Sequence, residues 1–201
     1  MRSRMEAIAT NILPGIFRLR VYLRNTMARY WVKLLILSCP LIIAVSDASG
    51  QHETDYAVQA NIIYRFTKYV DWPRYKKSGD FIIGFVGDSP LYDELKSLCA
   101  GKTVGDQRLV VTKMSSKASS YGCHILFVCE DESGILQRII TVTDGEPVLI
   151  VTEANGLARK GACINFITAD EHLKLEINKN SVLQRNLHIA SELLELATII
   201  K

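Results

Sequence analysis

Four features of this 201-residue chain carry residue types that could take part in chemistry: a Gly-Lys-Thr triplet, the cysteines, the histidines and an acidic run. The triplet at residues 101–103 matches the end of the phosphate-loop pattern G-x-x-x-x-G-K-[ST]. In that loop, backbone amides and the helix that follows hold phosphate groups. The position five before Gly101 is Lys96, and the triplet follows a predicted helix instead of opening one. We therefore interpret it as a helix end followed by a turn.

The cysteines indicate a disulfide. Cys39 falls in an N-terminal leader, which leaves Cys99, Cys123, Cys129 and Cys163 and three possible pairings. Cys123 and Cys129 lie at opposite ends of one predicted strand, about 20 Å apart, and cannot pair. Cys99 closes the helix after the first strand, which returns it to the sheet edge where Cys123 begins the third strand. This topology predicts a Cys99–Cys123 bridge and leaves Cys129 and Cys163 as a second pair or free. The alternative is four buried free thiols.

The histidines do not form a metal-binding pattern. His52, His124, His172 and His188 are scattered, and no C-x-x-C or H-x3-H spacing occurs. We therefore expect no metal site, no cofactor and no catalytic residues.

An acidic run, Glu130–Glu132, follows the third predicted strand. The carboxyl ends of parallel strands are where α/β folds often bind ligands. The run is therefore a candidate pocket for a small molecule. The alternative is a solvated turn that caps the next helix.

The N-terminal 49 residues are predicted to be an extension and a cleaved secretory signal. An uncharged apolar stretch at 34–45 follows Arg29 and Lys33, and small residues come after it. Twelve residues are too few for a stable membrane span but suit a signal sequence. Translation from Met27 is an alternative start. The signal predicts a periplasmic protein with no membrane insertion after cleavage.

The charge of the remaining chain excludes a nucleic-acid-binding footprint. The whole sequence has 24 Lys and Arg against 21 Asp and Glu, a formal charge of +3. Residues 1–49 hold seven of the basic and two of the acidic residues, which leaves 17 and 19. Nucleic-acid-binding domains usually carry a basic patch on a basic domain.

Residues 50–201 are predicted to form a single α/β domain. Apolar strand patterns such as "FIIGFVG", "RLVVTKM", "CHILFVCE" and "PVLIVTE" alternate with helical patterns, and "ACINFIT" and "HLKLEIN" follow as a hairpin. This order predicts a mostly parallel sheet of about six strands with a mixed edge and helices on both faces, a flavodoxin/Rossmann-like sandwich. We expect the third strand beside the first, and a helical tail that opens at Ser181.

These landmarks resemble the YfiR family of small periplasmic regulators. The pieces that match are "VQANIIYRFTKYVDWP", "FIIGFVGDSP", "AGKTVGDQRLVV", "CHILFV", "PVLIVTE", "GACINFI", "KLEIN" and "LHIASELLELA", in the family's order. The resemblance implies a non-enzymatic protein that restrains an inner-membrane diguanylate cyclase through its periplasmic sensor domain, with redox-dependent release and control of biofilm formation. It also implies disulfides and a homodimer. The alternative is a module that presents a small ligand to a membrane receptor such as a sensor kinase.

Three aromatic residues are candidates for the surface that contacts the partner or a second copy. Phe66, Tyr69 and Trp72 lie on or beside the first predicted helix, at 55–73, which is apolar on more than one side. Aromatic residues often dominate binding energy at interfaces. The alternative is that this helix simply packs on the sheet.

Overall fold

The structure is a computed structural model and describes residues 48–169 and 172–200. The predicted signal sequence at 34–45 lies outside the described residues. Gly50–Lys201 groups as one compact unit. Within the described ranges, no helix is both long and apolar enough to cross a membrane.

The described chain contains five α-helices, ten strands and two short 3-10 helices. The α-helices are α1 (Ala48–Tyr69), α2 (Leu91–Cys99), α3 (Leu136–Val142), α4 (Lys179–Gln184) and α5 (Ser191–Leu194). The strands are β1 (Val70–Asp71), β2 (Phe81–Val86), β3 (Thr103–Val104), β4 (Gln107–Lys113), β5 (Ile125–Val128), β6 (Leu149–Thr152), β7 (Ile164–Ala169), β8 (His172–Asn178), β9 (His188–Ile189) and β10 (Ala197–Ile200). The 3-10 helices are Arg74–Lys76 and Glu130–Ile135.

Eight strands form one mostly parallel sheet, in the order β10-β8-β7-β6-β5-β2-β4-β3. Strands β4, β2, β5, β6 and β7 are parallel, and β8 runs antiparallel to β7 as the predicted hairpin requires. The five parallel strands have the flavodoxin order 2-1-3-4-5. The mostly parallel α/β sandwich and the placement of the third strand beside the first are confirmed. The sheet has two strands more than predicted.

The helices cover both faces of this sheet. Phe85 and Phe127 are paired neighbours that share a face, and their rings stack 4.9 Å apart. Helix α2 packs on that face, where Tyr92 meets the Phe85 ring edge-on at 5.5 Å. The crossovers from β2 to β4 and from β5 to β6 run in opposite directions along the sheet. Because such crossovers are right-handed, α3 lies on the opposite face from α2.

Helix α1 packs on the same face as α2. Its Phe66 ring lies 6.2 Å from that of Phe166 on β7. The helix ends at Tyr69, earlier than predicted, because the chain turns extended at β1 before Pro73. Proline disfavours the helical conformation of the residue before it, so Trp72 lies outside the helix.

The prediction of one long helix in the tail is wrong. Helix α4 is capped by Asn178, whose side chain accepts a hydrogen bond from the Ser181 amide at 3.0 Å. The helix stops before Asn186, which adopts a left-handed φ of 54°. The chain then forms β9, the single-turn α5, and β10, which pairs in parallel with β8. Thr198 and Ile199 are β-branched and fit this edge strand.

Candidate functional site

One groove, referred to here as the main groove, lies at the amino ends of the parallel strands. It has a volume of about 590 Å³ and lies between the end of α1, the ribbon formed by β1 and β9, and the turn from β3 to β4. Its lining includes Thr67, Lys68, Tyr69, Trp72, Gln107 and His188. A volume of this size is within the range of small-molecule sites.

The ribbon that forms one wall joins two distant parts of the chain. Val70 pairs with Ile189 and Asp71 with His188 in antiparallel register. The Ala190 amide also donates to the Tyr69 carbonyl at 2.8 Å. The ribbon thereby fixes the backbone that carries Tyr69 and Trp72 against the groove.

Trp72 supplies the groove with a buried polar atom. The side chain is 5% exposed and meets Phe81 edge-on at 5.0 Å. Its Nε1 atom is the one buried side-chain nitrogen or oxygen in the described residues without a protein hydrogen-bond partner. A buried donor without a partner costs about 1–3 kcal/mol of folding free energy.

His124 lies beside Trp72 and is held through both ring nitrogens. The Ile82 amide donates to Nδ1 at 3.2 Å, and Nε2 donates to the Lys76 carbonyl at 2.8 Å. The ring stacks on Phe81 at 4.2 Å. These partners require the neutral tautomer with a proton on Nε2. Burial and the nearby Lys76 amino group both lower the pKa of His124 below its ordinary value.

Gln107 holds the same turn from the other side. Its buried Nε2 donates to the carbonyls of Lys76 at 2.9 Å and Ser78 at 3.3 Å. The segment 74–78, named here turn 74–78, is therefore tied to β4 by Gln107 and to β2 and β5 by His124. Lys77, on this turn, forms part of the groove wall.

The rim of the groove carries both signs of charge. Lys77 and Asp71 form an exposed ion pair at 2.6 Å. Lys68, Asp106 and His188 are also exposed on the lining. This mixture suits a ligand that has both donor and acceptor groups better than one of a single charge.

The structure corrects the predicted aromatic surface. Phe66 is 0% exposed and packs on Phe166, and Trp72 is buried between Phe81 and His124. Both belong to the core and are not available to a partner. Tyr69 is half-buried and lines two grooves, so it alone of the three stays a candidate.

A second groove, of about 440 Å³, lies between α1, β8 and the α5–β10 segment. Its floor is apolar, with Ile62, Leu173 and Leu193, and charged residues such as Arg65 and Glu195 line it. Leu196 at its margin is 76% exposed. An apolar centre with a polar rim is the usual anatomy of a protein–protein contact.

The carboxyl edge of the sheet, where the sequence predicts a ligand pocket, is filled by Asp131. A Cβ on Gly87 would come within 2.3 Å of Asp131 Oδ1 and 2.8 Å of the Cys129 Cβ. Asp131 Oδ2 also accepts the Asp88 amide at 3.1 Å. Glu130, Asp131 and Glu132 begin a 3-10 helix, which agrees with the alternative expectation of a turn before the next helix. The crevice between β2 and β5 is therefore occupied by the protein's own side chain.

Glu153 closes the same edge on its other side. Its carboxylate accepts the Glu130 amide and the Gln59 side-chain amide, each at 3.3 Å. Burial, the largest cause, raises the pKa of Glu153, and the neighbouring Glu130 and Asp131 charges add to it. Gln59 lies on α1, so this contact joins the helix to the end of β6.

All four described cysteines are buried free thiols in the structure. Burial raises the pKa of Cys99 to about 11 and of Cys123 and Cys129 to about 12, and it also raises that of Cys163. A thiol that stays protonated is a poor nucleophile and a poor metal ligand. Among the described residues, no group of three or more His, Cys, Asp or Glu side chains has a metal-binding arrangement.

The fold has different consequences for the two predicted disulfides. Cys163 lies beside Ile150 on β6, which pairs with Leu126 on β5, three residues before Cys129. Two strand spacings and three residues put Cys129 and Cys163 about 14 Å apart, beyond the about 7 Å limit for a disulfide. That pairing is wrong for this fold. Cys99 and Cys123 both lie toward the amino ends of the strands, and their bridge stays a prediction.

Sequence reasoning missed the residues that shape the main groove. His124, Gln107 and Lys76 are separated by 17 residues or more along the chain, so no local pattern connects them. The single available signal was a polar residue, Gln107, at the start of an apolar strand.

Comparison with known protein families finds a match over most of the described chain. The family described as YfiR/HmsC-like matches residues 56–198, which span α1 to β10. No curated protein matches the chain.

Proposed function

The chain belongs to the YfiR/HmsC-like family, and from that premise we propose that it represses an inner-membrane diguanylate cyclase by binding the cyclase's periplasmic domain. Family membership implies a regulatory protein of the periplasm. The proposal adds the direct contact in trans, repression as its sign, and release of that repression under changed redox conditions. We also propose that the protein forms a homodimer. The match over 143 residues, which extends from α1 into β10, is the observation that carries the proposal.

We infer that the second groove and the exposed Leu196 form the surface that contacts the cyclase. The groove offers the apolar side chains of Ile62, Tyr69 and Leu173 in one place, next to charged groups of both signs. Isolated exposed apolar residues are ordinary, but a patch rimmed by charges is typical of interaction sites. This surface accounts for the two apolar sides of helix α1. Ile63 and Phe66 on one side are buried in the core, and Ile62 and Tyr69 on the other line the groove.

The experiment measures intracellular cyclic di-GMP in a strain lacking the gene, complemented with the wild-type chain or with variants. Deletion is expected to raise cyclic di-GMP and wild type to restore it. Leu196→Glu places a charge in the proposed surface and is expected to leave the level high. Leu183→Glu is the matched control because Leu183 is also exposed, at 59%, but lines a different small pocket.

Two outcomes contradict this proposal. An unchanged level on deletion argues against repression itself. Restoration by Leu196→Glu to the same extent as by Leu183→Glu argues against the surface. The folded state of both variants is checked by circular dichroism and by abundance in the periplasmic fraction.

A second candidate function is a ligand-binding module that signals to a membrane receptor such as a sensor kinase. The observation that favours it is the groove of about 590 Å³, whose lining includes the polar and charged residues Lys68, Gln107 and His188. The groove is at the opposite edge of the sheet from the acidic pocket expected from the sequence. Retention of a small molecule by the purified protein, detected by mass spectrometry after denaturation and lost in Lys68→Ser and His188→Ser variants, would support this candidate.

A further inference from the structure

We propose that His124 is a proton-operated latch: the neutral ring ties turn 74–78 to strand β2, and the protonated ring releases the turn from β2. The two ring nitrogens have partners of opposite type. The Ile82 amide can only donate, and the Lys76 carbonyl can only accept. One protonation state satisfies both of them, the neutral imidazole with its proton on Nε2.

A second proton changes the two contacts in different ways. The Nε2–H group still donates to the Lys76 carbonyl, because that contact needs a donor. The Nδ1 atom becomes a donor and faces the Ile82 N–H at 3.2 Å, so that contact turns from attractive to repulsive. The imidazolium ring therefore stays with turn 74–78 and separates from β2.

The surroundings of the ring oppose the charged state. The charged group that faces it is the amino group of Lys76, which donates to the Cys123 carbonyl at 3.4 Å and repels an imidazolium. From the other elements it meets the rings of Phe81 and Trp72, which carry no charge. An exposed imidazolium is hydrated, whereas one held in this position is not, so protonation favours movement of the ring toward solvent.

Movement of the ring reaches the main groove directly. Trp72 and Phe81, which the ring contacts, line the groove, and so do Lys77 on the turn and Gln107, which also binds the Lys76 carbonyl. Release from β2 leaves the turn tied to the sheet by Gln107, by the Nε2 contact of His124 and by the Lys76 amino group, which donates to the Cys123 carbonyl. Acid therefore changes the wall of the groove. An effect on ligand binding rests on the second candidate function, but the latch itself does not.

The test uses the fluorescence of Trp72 in the full chain. The sequence has two tryptophans, so a Trp31→Phe background leaves Trp72 as the sole emitter. The emission is recorded from pH 8 to pH 4. We expect a one-proton transition with its midpoint below the ordinary histidine value of 6.5, because His124 must be protonated from a bonded, buried state.

Two variants identify the group that titrates. In His124→Gln the amide can accept from Ile82 and donate to Lys76 but cannot titrate, so the transition is expected to vanish. His188→Gln is the matched control, since His188 also lines the groove but is exposed, and it is expected to keep the transition. A transition that survives in His124→Gln, or its absence from the Trp31→Phe chain, overturns the proposal.

Hydrogen exchange decides the question if His124→Gln does not fold. In the Trp31→Phe chain, protection of the Ile82 amide, corrected for the intrinsic effect of pH, is expected to fall below pH 6.5. Linkage to one proton makes the fall up to about tenfold per pH unit between the midpoints of the exposed and the bonded ring. The Leu126 amide in the centre of the sheet is the internal reference. Equal changes at Ile82 and Leu126 overturn the latch.

Discussion

Asp131 Oδ1 occupies the space that a side chain at Gly87 would need. The two residues follow β5 and β2, the neighbouring strands at which the direction of the sheet connections reverses. At this position many folds with the same strand order bind a ligand. Here the carboxylate packs directly on the glycine backbone, whose φ of +98° is also unfavourable for other residues.

Replacement of Gly87 by alanine is therefore expected to destabilise the protein by more than its backbone conformation alone requires. The φ strain costs about 1–3 kcal/mol, and displacement of the Asp131 carboxylate adds to it. Gly79→Ala is the matched control, because Gly79 has a φ of +74° but no atom within 4 Å of an added Cβ. Urea unfolding measures both. The double variant Gly87→Ala/Asp131→Ala is expected to recover part of the loss, and strict additivity would contradict the contact.

The unpartnered indole of Trp72 predicts an unusual response to substitution. Trp72→Phe removes the buried N–H, worth about 1–3 kcal/mol, and this offsets the packing lost with the smaller ring. We expect a net change in the free energy of unfolding within about 1 kcal/mol. Trp72→Ala, which also empties the site, is expected to cost about 3–5 kcal/mol. Equal losses in the two variants would show that Nε1 has a partner.

We expect the folded protein to be more stable when the carboxyl group of Glu153 is protonated than when it is ionised. Its pKa is raised in the folded chain, so the unfolded chain ionises first as the pH increases above 4.5. Stability is therefore lost between that pH and the folded pKa, and is constant above it. Glu153→Gln cannot ionise, and a flip of the Gln59 amide preserves a hydrogen bond. The difference in unfolding free energy between wild type and variant, measured from pH 4 to pH 7, is expected to change in favour of the variant as pH rises. A difference independent of pH would contradict this.

The cysteines predict a single disulfide in the protein when it is isolated without reductant. A Cys99–Cys123 bridge closes a loop of about 25 residues and adds on the order of 3 kcal/mol by the loop-entropy model. Peptide mapping without reductant is expected to recover these two cysteines in one linked peptide pair and to find Cys129 and Cys163 free. Alkylation of Cys99 and Cys123 in the unreduced protein would reject the bridge. Cys129→Ser serves as the control that leaves the linked pair unchanged.

The sheet could be predicted from the sequence because its central strands are short, continuous apolar runs. The run at Phe81–Val86 has no polar residue, and the turn after it contains Ser89 and Pro90, which favour the start of a helix. These local signals agree with the tertiary structure, so the order of strands and helices follows from them.

The pattern of the tail predicts a helix for an equally local reason, but the tertiary structure is different. Residues such as Leu193 and Glu195 are good helix formers, and the pattern has helical spacing. Pairing of β10 with β8 and the left-handed Asn186 break that pattern. Nothing in the sequence of the tail indicates that strand β8 leaves an unpaired sheet edge with which it could pair.

The site depends on contacts between residues far apart in sequence, which periodicity does not detect. Trp72 meets His124 across 52 positions, and its burial follows from the sheet and not from the helix that precedes it. Phe66 and Trp72 are clearly apolar in the sequence, but a core position and an interface position look alike in one sequence.

The ribbon of β1 and β9 has a consequence for the time at which this protein becomes folded. Val70 and Ile189 are about 120 residues apart, yet their pairing fixes the segment that carries Trp72 and completes a wall of the groove. Contacts of such long range form slowly, since the chain must close a large loop before it gains them. A chain emerging from a membrane translocase with its amino end first would hold α1 ready but leave the groove unformed until the β9 segment had also crossed. Because of this ribbon, the main groove can form only after nearly the whole domain is available for folding.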